Sequence, residues 1–289
     1  MGAKAETTRR WYERRLNSLV EFLGDVEVGS VDTCALRRWR ADLQDKQARY
    51  TTHPTRGVVE GGLSPWTLHG YCRAARRLFR WLCEEGVLSN NPALRLELPK
   101  LPKVGCKGIA DDDLARMMQA ARASPRDLAL VFFLASTACR CAGAAGLRVG
   151  DLMLKRGRAI VREKGERERV VYLAPAAVEA MEAWLKVRPK GRGDAVFVGL
   201  KGGLRTSGIY QVLKRLAKAA GVVAGWNPHN WRHGAARRML MDGASLAHVS
   251  QLLGHSSVDV TNAHYGIFAD KELKRAHSRH VSLPDLEVE

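Results

Sequence analysis

The sequence predicts a mainly helical protein in two domains, the second of which also carries a small β-sheet. Three observations carry that prediction. Apolar residues recur at helical spacing along most of the chain. One pair of short β-type runs stands out, Ala159-Ile160-Val161 and Val170-Val171-Tyr172-Leu173. A proline- and lysine-rich stretch, Leu98-Pro99-Lys100-Leu101-Pro102-Lys103, reads as an extended basic linker between two helical blocks. The chain is therefore divided into a helical domain at 1–98, a linker at 99–107 and a mixed domain at 108–289.

In the first block, residues 7–23 place Trp11, Leu16, Leu19 and Val20 at helical spacing, and Gly24 is the stop. A second helix is expected over 33–47, through Leu36, Trp39 and Leu43. Residues 50–63, rich in Thr, Gly and Pro, read as a loop. Ser64-Pro65 joins a good N-cap to a residue suited to the first turn, so a third helix starts there and stops at Gly86. One of its faces gathers Leu68, Tyr71, Ala75, Leu78, Phe79 and Leu82, and the opposite face gathers Arg73, Arg76, Arg77 and Arg80. No carboxylate is read on that stripe, which points the four arginines at phosphates.

In the second block, Asp111-Asp112-Asp113 set carboxylates at the positive end of a helix. The helix from Pro125 is apolar almost all round and is expected to be buried. Further helices are expected at 175–187, at 206–220 (with Lys214 and Arg215) and from Pro228 to Asp242, where Gly243 is the stop. Between the two β-type runs, Arg162 to Arg169 reads as a charged hairpin tip containing Lys164-Gly165.

The formal net charge is +17, and the sequence pI is about 10.0. Residues 1–106 hold 18 Lys+Arg against 12 Asp+Glu, and the remainder holds 29 against 18, so both parts are basic. That balance favours a polyanionic partner, nucleic acid before membrane. Candidate contacts are Arg73, Arg76, Arg77 and Arg80, the linker residues Lys100 and Lys103, and Lys214 and Arg215. The six cysteines are scattered without a CxxC pair and read as reduced, mostly buried thiols of a cytoplasmic protein; association with the nucleoid is expected of so basic a chain. Neither a secretory leader nor a membrane span is read in the sequence.

Chemistry concentrates at His229, Arg232, His255 and Tyr265. A guanidinium is a fixed cation whose planar fork fits phosphate oxygens. Histidine moves protons near neutral pH, and tyrosine can form a covalent intermediate through its oxygen. His229 and Arg232, at i and i+3 on one helix, can address the same group. His229 and His233 also have the i, i+4 spacing of a zinc helix, but Asn-Trp-Arg replaces the glutamate such a helix needs, so no metal site is expected.

The pattern T-x-x-R-x6-L-R-x-x-D-L over Thr137–Leu152, the run Leu252-Leu253-Gly254-His255, and V-T-x-x-x-Y-G over Val260–Gly266 resemble the boxes of tyrosine recombinases, the phage integrase family. The resemblance implies a C-shaped two-domain clamp, with a core-binding (SAM-like) helical domain, a catalytic domain and no separate arm-binding domain. It implies site-specific DNA recombination through a 3′-phosphotyrosine. Tyr265 would be the nucleophile, Arg140 and Arg232 the phosphate clamps, and Lys164 the acid for the leaving 5′-oxygen. His229 would take the tyrosine proton, and His255 would hydrogen-bond the phosphate. It further implies no metal or nucleotide cofactor and a double-stranded DNA carrying a specific site. The protein would be a monomer in solution and a homotetramer on DNA, joined by an accessory directionality or bending protein and docked through a last helix at 270–277. The family places a carboxylate three residues after its first arginine, where this chain has Gly143. Another group is expected to substitute, Asp151 being one candidate. A non-catalytic accessory DNA-binding protein on a decayed recombinase fold is the alternative, and Gly143 is its support.

Overall fold

The structure, a computed structural model, describes residues 6–49, 57–102, 108–163, 167–255, 257–265, 274, 277 and 278. The chain forms two compact units, Met1–Val104 and Gly105–Glu289, each with its own core. Among the described residues no helix is long and apolar enough to cross a membrane.

The first unit holds α1 (Glu6–Leu23), α2 (Thr33–Asp45) and α3 (Pro65–Glu84) around Leu19, Leu36, Trp39, Leu43, Leu68 and Phe79. Side-chain caps start two of them: Asp32 accepts from the Ala35 N–H at 2.7 Å, and Ser64 from the Thr67 N–H at 3.2 Å. This unit is not purely helical. Val59–Glu60, within the stretch read as loop, form β2 and pair antiparallel with β1 (Ala48–Arg49), which directly precedes that stretch; two residues a side are too few to show a strand pattern in the sequence. Residues 50–56 of that stretch lie outside the described residues.

The arginine stripe of α3 also differs from expectation. Arg73, Arg77 and Arg80 are exposed and Arg76 is half-buried, but a carboxylate does lie beside them. Glu84, one turn beyond Arg80, approaches Arg80 at 2.8 Å and Arg77 at 3.5 Å. Arg76 donates to the Leu94 carbonyl at 3.5 Å, and Arg73 lies 5.2 Å from the Trp11 ring centre. Lys100 is exposed, while Lys103 lies outside the described residues.

In the second unit α4 (Asp111–Ala121), α5 (Pro125–Thr137) and the five-residue α6 (Cys141–Ala145) precede the sheet. The strands β3 (Leu152–Met153), β4 (Arg158–Arg162) and β5 (Glu168–Tyr172) form an antiparallel sheet in that order, with β4–β5 register running from Arg158↔Tyr172 to Arg162↔Glu168. Then follow α7 (Pro175–Val187), the separate hairpin β6 (Val198–Gly199) with β7 (Gly202–Gly203), α8 (Thr206–Ala219), α9 (Pro228–Met241), α10 (Leu246–Leu253) and α11 (Val258–Tyr265). The helix expected at 270–277 lies outside the described residues except for Lys274 and His277.

The core of this unit wraps α5, as its all-round apolar sequence requires, with Leu130, Phe133 and Leu134 among its fully buried side chains. Asp127 is buried with them at 1% exposure, and two arginines hold it there: Arg126 at 2.8 Å, and Arg215 of α8 in a close ion pair. The guanidinium of Arg215 is thus engaged within the unit, while Lys214 beside it is exposed.

This pairing predicts that Asp127→Ala lowers stability by roughly 2–3 kcal/mol, less than for a fully enclosed ion pair because Arg215 reaches solvent. Arg215→Ala should lower it by about 1 kcal/mol, since the second arginine remains on the carboxylate. Urea midpoints of the three proteins measure both. An unchanged midpoint for Asp127→Ala would show that the pair adds nothing to folding.

Candidate active site

The end of α5 sets the first arginine. Thr137 donates its hydroxyl proton to the Phe133 carbonyl at 2.7 Å and accepts from the Cys139 N–H at 3.3 Å. Ala138 turns the chain in the left-handed region, at φ 50°, and Arg140 follows as the residue capping α6. Arg140 remains 42% exposed, and its guanidinium forms a close ion pair with the carboxylate of Glu163.

Glu163 follows β4 directly and is closed in by the hairpin, its N–H donating to the Arg167 carbonyl at 3.0 Å. Its side chain is only 7% exposed. Besides the Arg140 guanidinium, it accepts from the Arg140 backbone N–H at 3.3 Å and from Arg169 of β5 at 3.1 Å, and it lies 3.8 Å from Arg232. Three arginines from separate elements therefore meet one carboxylate.

Arg232 sits in the first two turns of α9 and is 3% exposed. It donates to the carbonyls of Ala138 at 3.0 Å and Leu253 at 2.5 Å. Arg169 donates to the Leu252 carbonyl beside it. Burial and, after it, the charge of Arg140 bring Arg232 down to a pKa of about 10, so it remains a cation at neutral pH. Burial alone would raise the Glu163 pKa. The hydrogen bond from Arg169 and the charges of Arg169 and Arg140 outweigh it and hold the carboxyl below its ordinary value of 4.5.

Gly254 closes α10 at φ +66°, where glycine is free of steric cost. It is also needed for close approach: a Cβ there would stand 2.9 Å from Arg169 Cδ and 3.8 Å from a Glu163 oxygen. His255 follows, its Nδ1 hydrogen-bonded with Thr261 Oγ1 at 2.7 Å. Tyr265 ends α11 at 1% exposure, packed in a cluster with Ala138, Ala235, Ala236, Val249 and Leu253. Its hydroxyl and His233 Nδ1 are hydrogen-bonded at 2.6 Å, its ring lies parallel to that of His255 at 6.4 Å, and the rings of His229 and His233 are 4.3 Å apart.

Arg140, Arg232, His229, His255 and Tyr265 thus gather around the junction of α5, α9 and α10. Lys164 lies outside the described residues, although Glu163, its neighbour in sequence, stands at this junction. Arg73, Arg76, Arg77 and Arg80 belong to the other unit. Glu163, Arg169 and His233 were not expected here. Asp151, the candidate substitute carboxylate, is engaged elsewhere: it pairs with Arg162 at 2.8 Å and accepts from the Arg148 N–H at 3.0 Å. The Cys139 and Cys141 thiols are both raised to about 11 by burial, which leaves them protonated and unreactive at neutral pH.

The fold and this site define a known class of protein. The fold matches that of the Tn1549 transposon integrase solved with circular intermediate DNA, with a TM-score of 0.74 at 18% identity over 97% of this chain and 95% of that one. It also matches the XerH site-specific recombinase bound to difH in a post-cleavage complex, with a TM-score of 0.72 at 19% identity over 94% and 79%. Residues 107–271 match the profile of the phage integrase family. Tyrosine recombinase XerD of Listeria monocytogenes is 32% identical over 275 residues, 90% of this chain and 87% of the relative. Tyrosine recombinase XerC of Corynebacterium efficiens is 31% identical over 77% of this chain and 75% of the relative. The chain belongs to the phage integrase family: it is a tyrosine recombinase, an enzyme of site-specific DNA recombination.

Two predictions follow from the site's packing. Gly254→Ala should cost about 1–2 kcal/mol for the left-handed backbone alone, with a further loss from the displaced Arg169. A lowered melting temperature with reduced DNA cleavage is the expected result, and wild-type values for both would contradict the close approach. The second prediction concerns pH. The folded pKa of Glu163 lies below its ordinary value, so the stability it contributes is fully present above about 4.5 and is lost as the pH falls through the folded value. Glu163→Gln should therefore be less stable than wild type by roughly 2–3 kcal/mol at neutral pH. That gap should close under acid conditions, as urea denaturation at several pH values would show; a pH-independent gap would sink this reading.

Proposed function

We propose that this recombinase breaks and rejoins double-stranded DNA at a specific site, with Arg140, Lys164, His229, Arg232, His255 and Tyr265 as its catalytic set. The observation that carries the proposal is the convergence of Arg140 and Arg232 beside Tyr265 and the histidines in one unit. Attack of the Tyr265 oxygen on phosphorus forms a 3′-phosphotyrosine and breaks the bond to the 5′-oxygen, which Lys164 protonates. Charge grows on the non-bridging oxygens, where Arg140 and Arg232 stabilise it. The phosphotyrosine conserves the bond, so a second 5′-hydroxyl reverses the step without a nucleotide. The fixed cations supply the charge that a metal ion brings to other phosphoryl transfers.

The tyrosine proton passes to histidine. The family resemblance gives His229 the part of accepting or relaying it; the 2.6 Å bond to Tyr265 favours His233 as acceptor, with His229 beside it as the next group in a relay. Tyr265 is fully buried here, so its hydroxyl must leave His233 before it meets DNA. His255, its ring fixed through Nδ1 by Thr261, would hydrogen-bond the phosphate.

The first unit would serve as a core-binding domain, and each unit would contact the duplex. The stripe Arg73, Arg76, Arg77 and Arg80, the linker lysines Lys100 and Lys103, and Lys214 would contact the backbone. Two cleavages on each of two duplexes require four protomers at synapsis, docked through residues near 270–277, and a directionality or bending protein would act with them. The comparisons give no support to a non-catalytic accessory role.

Tyr265→Phe removes only the hydroxyl. It should retain specific DNA binding and lose the covalent protein–DNA adduct on a nicked suicide duplex, resolved by denaturing gel. An adduct that persists in the variant, or that mass spectrometry maps to another residue, overturns the assignment.

A further inference from the structure

We infer that Glu163 is the positioning residue of the arginine pair and that it replaces, from the end of β4, the carboxylate this chain lacks at Gly143. The inference rests on the catalytic reading of Arg140 and Arg232 given above. Arg232 is almost fully enclosed and faces the like charge of Arg140, so the two cations need an anion between them to stay side by side. Residue 143 has no side chain to give. Glu163 supplies the anion, binding the Arg140 guanidinium and backbone N–H together, taking a bond from Arg169 at 3.1 Å and reaching Arg232 at 3.8 Å.

Gly143 lies beside the strand that leads to Glu163. A Cβ built on Gly143 would stand 3.4 Å from Val161 Cβ and 3.7 Å from the Arg162 carbonyl oxygen, the two residues of β4 that lead into Glu163. Both are ordinary van der Waals distances, so a side chain at 143 has room to start and would grow over the strand that delivers Glu163. On this inference a carboxylate rooted at 143 would reach the guanidinium groups that Glu163 now holds. Glycine at 143 and glutamate at 163 are therefore halves of one exchange: the anion has moved from α6 to the hairpin while its charge stayed in place.

The test compares wild type, Glu163→Gln, Glu163→Gly and the exchange variant Gly143→Glu/Glu163→Gly, all as full-length chains. The probe is a pool of nicked duplexes with a randomised centre, from which duplexes captured covalently by the wild type are recovered and used for single-turnover cleavage and filter binding. Glu163→Gln should cleave roughly 10–100-fold more slowly, the range for loss of a group that orients a catalytic ligand, while duplex affinity holds within about threefold. Glu163→Gly should lose cleavage and melt at a lower temperature, and the exchange variant should recover at least about tenfold in rate together with most of the melting temperature. Wild-type cleavage by Glu163→Gln, or a folded exchange variant that recovers neither rate nor melting temperature, overturns the inference. If the wild type captures no duplex, the catalytic reading fails instead, and recovery of the melting temperature in the exchange variant still decides where the anion sits.

Discussion

The second unit depends on keeping three guanidinium groups together at the edge of a packed core. Two unit charges about 4 Å apart interact by about 4 kcal/mol at an effective dielectric of ~20, enough to push an unbalanced pair apart. One carboxylate, Glu163, opposes that repulsion. The backbone adds to it. Arg232 donates to the carbonyls of Ala138 and Leu253, and Arg169 to that of Leu252. All three carbonyls lie at helix C-termini, those of α5 and α10, where carbonyl groups lack partners and the helix carries its negative partial charge. Two helix ends and one carboxylate thus hold the arginines, and their remaining positive charge is available to a phosphate.

This arrangement explains why backbone is packed so tightly around the site. Gly254 ends α10 where Arg169 passes beneath it. Gly234 on α9 lies against Gly108, where an added Cβ on Gly108 would come within 2.4 Å of the helix backbone, and the Ile109 N–H donates to the Asn230 carbonyl at 3.2 Å. The segment that enters the second unit is therefore pressed onto the helix that carries His229, Arg232 and His233. Tyr265 completes the same small cluster, its ring among alanines, Val249 and Leu253 and its hydroxyl on His233. Tyr265 and His233 share this packing with the core, so a change on α9 or α10 is felt at both.

The helices were legible because their ends are written locally. Ser64-Pro65, Pro125, Pro175, Pro228 and Gly243 each mark a boundary within a residue or two of where the structure sets it. The two-residue strands β1, β2, β3, β6 and β7 were not legible, because pairing rather than periodicity makes them. Glu84 was missed as a partner because the stripe was read as ending at Arg80, although i+4 is the spacing of helical ion pairs. Glu163 is the instructive case. In a run of Arg, Glu and Lys it reads as one more solvated charge, and nothing local separates it from Glu166 or Glu168. Its role comes from Arg140, 23 residues earlier, and from α9. A partial signal existed on β5: alternation from the buried Val171 puts Arg169 on the inward side, and an inward-facing arginine asks for a buried anion nearby.

The fate of the arginines also shows what a net charge of +17 does and does not measure. Much of the positive charge is structural. Arg126 and Arg215 hold buried Asp127, Arg162 holds Asp151, and Arg188 closes a loop by donating to the carbonyls of Gly193 and Ala195. Withdrawing any of these to meet another molecule would strand a carboxylate or a carbonyl, so they add to the long-range field without being contact residues. The α3 stripe is different in kind. Its pairs with Glu84 are exposed to water, and such pairs are worth less than about 1 kcal/mol, so a phosphate can displace the carboxylate at little cost. Finding Glu84 there therefore tempers the stripe as a phosphate-binding surface without removing it. What separates a contact arginine from a structural one is how little its present partner loses when it leaves.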